Sequence, residues 1–421
     1  MPETREASLT RLLRWSERYT GLDMVYLASG SFWVTFAQIG ANALSLVLII
    51  AFANLLPKET YGLYRYILAI AGLLNIFALT GMKSSVARAV AIGEEGALRA
   101  SVRYQLKWGV LMFLGFSVLA GYYLLQENEL FAASFLILGI ATPLTLAFSS
   151  YGAYLEGKRE FRLASVSTVL STAIYTAGML AALLLSGDVL WLIAMYAGTT
   201  LAGTLLFYWI TLYRFRPPPA SPTEALIYGR NLSLIGLMDP VVSQIDKIIV
   251  AHFWGPAQLA VYSLAMAVPS RATSAVKSLV GLGSPKFAQK TPAQINRTFY
   301  LRVFQGMLFG ALMTFGYVLV APYLFQYVLP QYLDAVFYSQ ILAASFIFAI
   351  PNRFVSLLLV SQKLSRTIFT NNLAQNLARI TLYVVLGLYG GVTGLVFAFV
   401  LMSALGMLIN IVTWRTVSRT L

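Results

Sequence analysis

The 421-residue chain is 58% hydrophobic and only 11% charged, with a formal net charge of +14, no cysteine and one histidine, His252. Soluble domains carry roughly 25% charged residues, so this composition lacks the polar surface that water would require, and lipid must be the main solvent. Without cysteine there are no disulfides or thiolate sites, a single histidine leaves no nucleophile–histidine pair, and no glycine-rich phosphate loop supports an internal ATPase.

In chain order, residues 1–30 form a cytoplasmic segment and not a signal peptide. Between Ala7 and Tyr19, Arg11, Arg14 and Arg18 oppose Leu9, Leu12 and Leu13, the pattern of a short amphipathic helix on a membrane surface. Apolar runs of the roughly 20 residues needed to cross a bilayer follow at 31–55, 61–80, 108–125, 130–152, 163–186 and 189–213. The stretch Arg214-Phe-Arg-Pro-Pro-Pro-Ala-Ser-Pro-Thr cannot continue a helix and makes 214–226 a stiff linker. Six more runs lie at 227–254, 257–281, 301–328, 331–351, 367–389 and 391–413.

The expected fold is therefore an all-α integral membrane protein of twelve spans in two six-helix lobes, 31–213 and 227–421, the second ending in a short tail. At an offset of 198, Ala53-Asn-Leu-Leu and Leu63-Tyr64 parallel Ala251-His-Phe-Trp and Val261-Tyr262, which favours a duplicated unit. Six is even, so both copies share one orientation, and such transporters place their site between the halves.

Alternate loops divide the charges sharply. One set, with both tails, holds twenty-four of the thirty basic residues, while the other holds Lys58 alone together with Glu59, Glu127, Glu129, Asp188 and Asp334. The basic side is the cytoplasmic side of a cell or inner membrane, which puts both termini there. The same asymmetry accounts for the net charge without a nucleic-acid partner.

Charges within spans cost about 3 kcal/mol or more if they face lipid. Arg65, Lys247, Arg271, Lys277 and Arg379 are the five such cations. Asp239, Ser243 and Asp246 share one face of the seventh span, and Pro240 should bend or break the helix there. Polar stripes run along the first span (Thr35, Gln38, Asn42, Ser45) and the eleventh (Asn372, Gln375, Asn376). The pattern points to a central cavity with a cationic lining for an anionic passenger. Asp239 and Asp246 are candidates for coupling to Na⁺ or H⁺, and no cofactor is otherwise expected. Buried ion pairs and interhelical hydrogen bonds are the structural alternatives.

Two segments carry a resemblance. Ala53-Asn-Leu-Leu-Pro-Lys-Glu-Thr-Tyr-Gly-Leu-Tyr-Arg-Tyr resembles the start of bacterial polysaccharide transporters, the Wzx-type O-antigen flippases. Asp246-Lys-Ile-Ile-Val with Trp254-Gly-Pro and Val261-Tyr-Ser resembles their seventh-to-eighth span junction. That family lies in the multidrug/oligosaccharidyl-lipid/polysaccharide exporter superfamily. The resemblance implies a V of two lobes and a flippase that turns an undecaprenyl-pyrophosphate-linked oligosaccharide from the cytoplasmic to the outer leaflet by alternating access. It implies membrane lipids and a glycan polymerase or assembly proteins as partners. A pyrophosphate would suit Arg65, Arg271 and Arg379, with Lys247 and Lys277 adding charge and Asn42 and Asn376 meeting sugar hydroxyls. The other reading is a multidrug or cation antiporter coupled through Asp239 and Asp246.

Overall fold

A computed structural model of the chain describes residues 24–219, 223–281, 292–362 and 365–418. The expected amphipathic stretch Ala7 to Tyr19 lies outside these residues. Among them there is no strand, and the helices are α1 (Met24–Leu55), α2 (Lys58–Leu73), α3 (Met82–Ala91), α4 (Ala97–Leu125), α5 (Glu129–Phe148), α6 (Ser150–Gly157), α7 (Phe161–Leu185), α8 (Val189–Phe215), α9 (Thr223–Ile235), α10 (Asp239–Gly281), α11 (Pro292–Val328), α12 (Ala335–Ala343), α13 (Phe346–Ser361) and α14 (Ser365–Val417). Among the described residues, eight helices are long and apolar enough to cross a membrane, and α12 with α13, bent by 40°, make a ninth if the pair is one span. Their outer faces carry large apolar side chains such as Val118, Trp209, Phe304, Leu312 and Phe315. A coat of that kind is stable only against lipid. The chain is a multi-pass membrane protein.

Two of the helices are hairpins. Gly255 adopts φ 84° inside α10, and Gly391 adopts φ 61° inside α14, a region that side chains with a Cβ rarely enter. Asp246 accepts a hydrogen bond from Tyr262, 16 residues later, at 2.8 Å. Asn371 bonds Asn410, 39 residues later, at 3.1 Å. A straight helix would separate those pairs by about 24 and 58 Å at 1.5 Å per residue, so each chain segment doubles back. With both reversals counted, the described residues hold twelve long legs, six before the linker and six after it.

The expected seventh span, 227–254, is divided. A turn at 236–238 separates α9 from α10, and Pro240 falls in the first turn of α10, where its missing N–H costs nothing. The break predicted at Pro240 therefore lies just before it, and Asp239 gains from the positive end of the helix dipole. α9 packs on α3: the Gly81 N–H donates to Ser233 Oγ at 3.0 Å, and Ser85 Oγ donates to the Ala225 carbonyl.

α2 and α10 form the main seam between the halves. Gly62, Ala69 and Gly72 lie within one face of α2 with Arg65. A Cβ on Gly62 would stand 1.7 Å from the Pro256 carbonyl oxygen, and one on Gly72 would stand 2.7 Å from Gln244 Cγ. Small residues are thus the condition for this close approach. The largest apolar cluster runs through the seam, joining Phe52, Tyr64 and Ile67 to Val250, Leu259 and Tyr262. Tyr64 and Tyr262, which correspond in the 198-residue repeat, are both fully buried.

Candidate functional site

The seam widens beside Arg65 into a hollow of about 230 Å³. α2 contributes Arg65, Ala69 and Gly72, α10 contributes Gln244 and Lys247, and Leu138, Thr142 and Tyr196 complete the wall from α5 and α8. None of the lining residues is acidic. Lys247 Nζ donates to Gln244 Oε1 at 2.8 Å and to the Ser243 carbonyl at 2.9 Å, which leaves one of its three N–H donors without a bond inside the protein. The Nε of Arg65 is shut from solvent and has no hydrogen-bond partner within the protein, nor does Asn75 Oδ1 nearby. Two cations on one concave wall repel each other unless an anion lies between them.

A second, larger hollow of about 420 Å³ lies inside the C-terminal half, among α10, the α12–α13 pair and both legs of α14. Arg353, Arg379, Asn352, Asn371, Gln375 and Asn410 line it. Asn410 is its hub: Oδ1 accepts from Asn371 at 3.1 Å and from Gln375 at 3.4 Å, while Nδ2 donates to Asn352 Oδ1 at 2.6 Å. The Nε atoms of Arg353 and Arg379 are both shut from solvent without a partner.

The residues singled out in the sequence do not converge on one cavity. Arg65 and Lys247 share the first hollow, and Arg379 lines the second. Arg271 is exposed on α10 beside Ser270, which does line the second hollow. The Lys277 side chain lies outside the described residues. Asn42 accepts from Gln38 within α1 at 3.2 Å. Asn376 donates to Asp239 Oδ1 at 2.8 Å, tying α14 to the start of α10. Asp246 is buried; its Oδ2 accepts from Tyr262, and its Oδ1 has no partner.

Among the described residues, ion pairs within 4 Å are Lys58–Asp334 at 3.1 Å and Lys158–Glu95. Arg65, Lys247 and Arg379 are in neither. Arg353 and Asn410 line the second hollow without having been singled out in the sequence. Arg353 lies just past the expected span 331–351, yet α13 continues to Ser361. The apolar run Phe354-Val355-Ser356-Leu357-Leu358-Leu359 was the signal that the helix goes on. Asn410, alone among apolar neighbours in the last span, was equally visible.

Lys58 belongs to a latch between the halves. It pairs with Asp334 and lies 5.3 Å from the centre of the Tyr332 ring. Asn54 Nδ2 donates to the Val328 carbonyl at 2.9 Å, and Gln331 Nε2 donates to the Asn54 carbonyl at 3.4 Å. With Gly62 against Pro256, these contacts close the seam at that end of the bundle.

A lipid-coated helical bundle of two halves, latched at one end and holding polar, cation-lined hollows, is a membrane transporter. The chain belongs to the polysaccharide biosynthesis protein family, whose model matches residues 27–284. Solved structures share the fold at low identity. An inward-facing multidrug resistance MATE family transporter of the MOP superfamily matches with TM-score 0.65 and 14% identity over 94% of this chain and 98% of that one. A MOP superfamily transporter from Pyrococcus furiosus, described as having a binding pocket of reverse polarity, matches with TM-score 0.63 and 14% identity over 93% and 95%. A eukaryotic MATE transporter matches with TM-score 0.63 and 13% identity over 94% and 98%. No curated protein matches the chain.

Proposed function

We propose that the chain is a flippase that turns a lipid-linked oligosaccharide with a pyrophosphate headgroup from the cytoplasmic to the outer leaflet by alternating access. The observation that carries this reading is the pairing of Arg65 with Lys247 on an inter-half hollow that has no acidic residue in its lining. Arginine meets phosphate oxygens with paired N–H donors, and lysine adds a compact charge, so a diphosphate satisfies both where a neutral or cationic solute satisfies neither. Membership of a polysaccharide biosynthesis family supports the glycan part.

In this reading the twelve legs all cross the bilayer as two six-helix lobes, with both termini cytoplasmic by the charge of the loops. The Lys58–Asp334 latch then lies at the outer end, and the fold is closed to the outside. The headgroup enters beside Arg65 from the cytoplasmic side while the polyprenyl tail stays in lipid.

Arg271, exposed on α10, and Lys277, nearer the cytoplasm, serve the approach of the headgroup, whereas Arg379 faces the second hollow, apart from Arg65 and Lys247. Asn42 and Asn376 would meet sugar only by exchanging their present partners. Asp246, with one carboxylate oxygen unpartnered and in neither of the ion pairs found among the described residues, is the stronger candidate for taking up H⁺ or Na⁺, and Asp239 is the weaker because Asn376 holds it.

That carboxylate also supports the second reading, a multidrug or cation antiporter, but the cationic lining beside Arg65 opposes cationic drugs. The test is flipping of a fluorescent polyprenyl-pyrophosphate glycan by purified protein in proteoliposomes, run beside efflux of a cationic dye. Flipping without dye efflux is expected. Dye efflux without flipping would replace the flippase by the antiporter.

A further inference from the structure

The hollow in the C-terminal half has a chemistry different from the one beside Arg65. Its wall is built from amides already locked by one another. Asn410 is buried and spends both ends of its amide on Asn371, Gln375 and Asn352. Thr413 Oγ1 in turn donates to Asn371 Oδ1 at 3.1 Å. Two amide ends are left over: the Nδ2 donor of Asn352 and the Oε1 acceptor of Gln375. They lie side by side over Gly406, where an added Cβ would stand 3.0 Å from Gln375 Oε1 and 3.3 Å from Asn352 Nδ2.

An adjacent donor and acceptor on a rigid wall match hydroxyl groups, each of which donates and accepts at once. A diphosphate, which only accepts in its ionised form, gains nothing from Gln375 Oε1. The same wall carries Arg353 and Arg379, each with an Nε that is shut from solvent and unpartnered, and neither has a carboxylate within ion-pair distance among the described residues. A volume of about 420 Å³ lies within the range of small-molecule sites, roughly 300–1,000 Å³. A polyol that bears a carboxylate satisfies the amide pair and the guanidinium groups together.

We infer that this hollow is a sugar subsite separate from the headgroup site, and that it takes an acidic sugar such as a uronic or nonulosonic acid residue of the glycan. The hydroxyls bind at Asn352 and Gln375, and the carboxylate binds at Arg353 and Arg379. The inference rests on the flippase reading for the presence of a glycan, but its residues are not those of the headgroup site.

The experiment is thermal unfolding of the full chain in phosphatidylcholine nanodiscs. The probes are glucuronate, galacturonate and N-acetylneuraminate, with glucose, galactose and N-acetylmannosamine as uncharged controls and farnesyl pyrophosphate as a headgroup probe. At least one acidic sugar should raise Tm at concentrations about tenfold below those of its uncharged control, the ratio that one charge-assisted contact supplies. Arg379→Gln should remove that advantage, and Gly406→Ala should remove the sugar response by crowding the two amide ends. Both variants should keep the response to farnesyl pyrophosphate, which also shows that they are folded.

If no acidic sugar outperforms its control, or if the advantage survives in the Arg353→Gln/Arg379→Gln double variant, the inference is overturned. It is also overturned if farnesyl pyrophosphate loses its effect in Arg379→Gln and keeps it in Arg65→Gln, because this hollow is then the headgroup site. Loss of the farnesyl pyrophosphate response in wild type, with the acidic-sugar response intact, would refute the headgroup reading and leave the sugar subsite standing.

Discussion

Gly62→Ala tests the closure of the two halves with a single methyl group. The added Cβ would lie 1.7 Å from the Pro256 carbonyl oxygen and 2.3 Å from the carbonyl carbon, both of them backbone atoms that cannot rotate away. To reach the roughly 3.0 Å that real Cβ contacts keep, α2 and α10 must part by about 1.3 Å. The Asn54–Val328 hydrogen bond, now 2.9 Å, would then be lost, and the Lys58–Asp334 pair would be stretched. Overpacking of this kind costs about 1–3 kcal/mol, and every 1.4 kcal/mol is tenfold in an equilibrium. The ratio of latched to unlatched molecules at the Lys58 end should therefore fall about 5- to 150-fold.

The chain has no cysteine, so Asn54→Cys with Gln331→Cys gives a clean crosslinking pair across the latch. Crosslinking should drop in Gly62→Ala. It should persist in Gly121→Ala, a substitution on α4 whose Cβ meets nothing within 4 Å. Equal crosslinking in all three backgrounds would refute the seam as a closing contact.

Other expectations follow from single contacts. Asn410→Ala removes the hub of the amide network and strands Asn352, Asn371 and Gln375, so it should cost about 1–3 kcal/mol and lower Tm in nanodiscs by several degrees; an unchanged Tm would mean that water replaces the network freely. Asp246→Asn keeps the bond from Tyr262 but cannot ionise. Flipping in proteoliposomes should then no longer respond to an imposed pH or Na⁺ gradient, and an unaltered response would exclude Asp246 as the coupling group.

Glu95 accepts from Lys158 and from Tyr154, the latter at 2.9 Å, and the bond from Lys158 holds its carboxyl below the ordinary range. A folded-state value below the unfolded one stabilises the protein at neutral pH, and that stability is lost as pH falls through the folded value. Glu95→Gln should lower stability by about 0.5–1 kcal/mol at pH 7 and converge with wild type in acid. A gap that widens on acidification would contradict the assignment.

Much of the architecture was legible in the sequence because the bilayer imposes it. Long apolar runs can only be helices there, and the turns at Trp254-Gly255-Pro256 and Tyr389-Gly390-Gly391 stand out between them. The two hairpins formed at those glycines. What periodicity does not specify is how each helix is rotated about its axis and which neighbours it meets. Arg65 and Arg379 read alike as mid-span cations, but the close approach at Gly62 and Gly72 turns Arg65 toward α10, while the reversal at Gly391 turns Arg379 inward among the legs of its own half. The division at 236–238 was hidden for a related reason. The stretch 227–235 reads as the start of the seventh span, and its packing on α3 through Ser233 and Gly81, with the turn at 236–238, sets it apart from α10. In the sequence Asn376 reads as a sugar ligand, and only the geometry reveals that Asp239 already engages it.

The central claim is that Arg65 and Lys247 hold the anionic headgroup. Flipping of the polyprenyl-pyrophosphate glycan should be measured for Arg65→Gln/Lys247→Gln in proteoliposomes, with Tm confirming that the variant is folded. The account predicts flipping at the level of protein-free vesicles. Flipping at the wild-type rate in the folded double variant would contradict it.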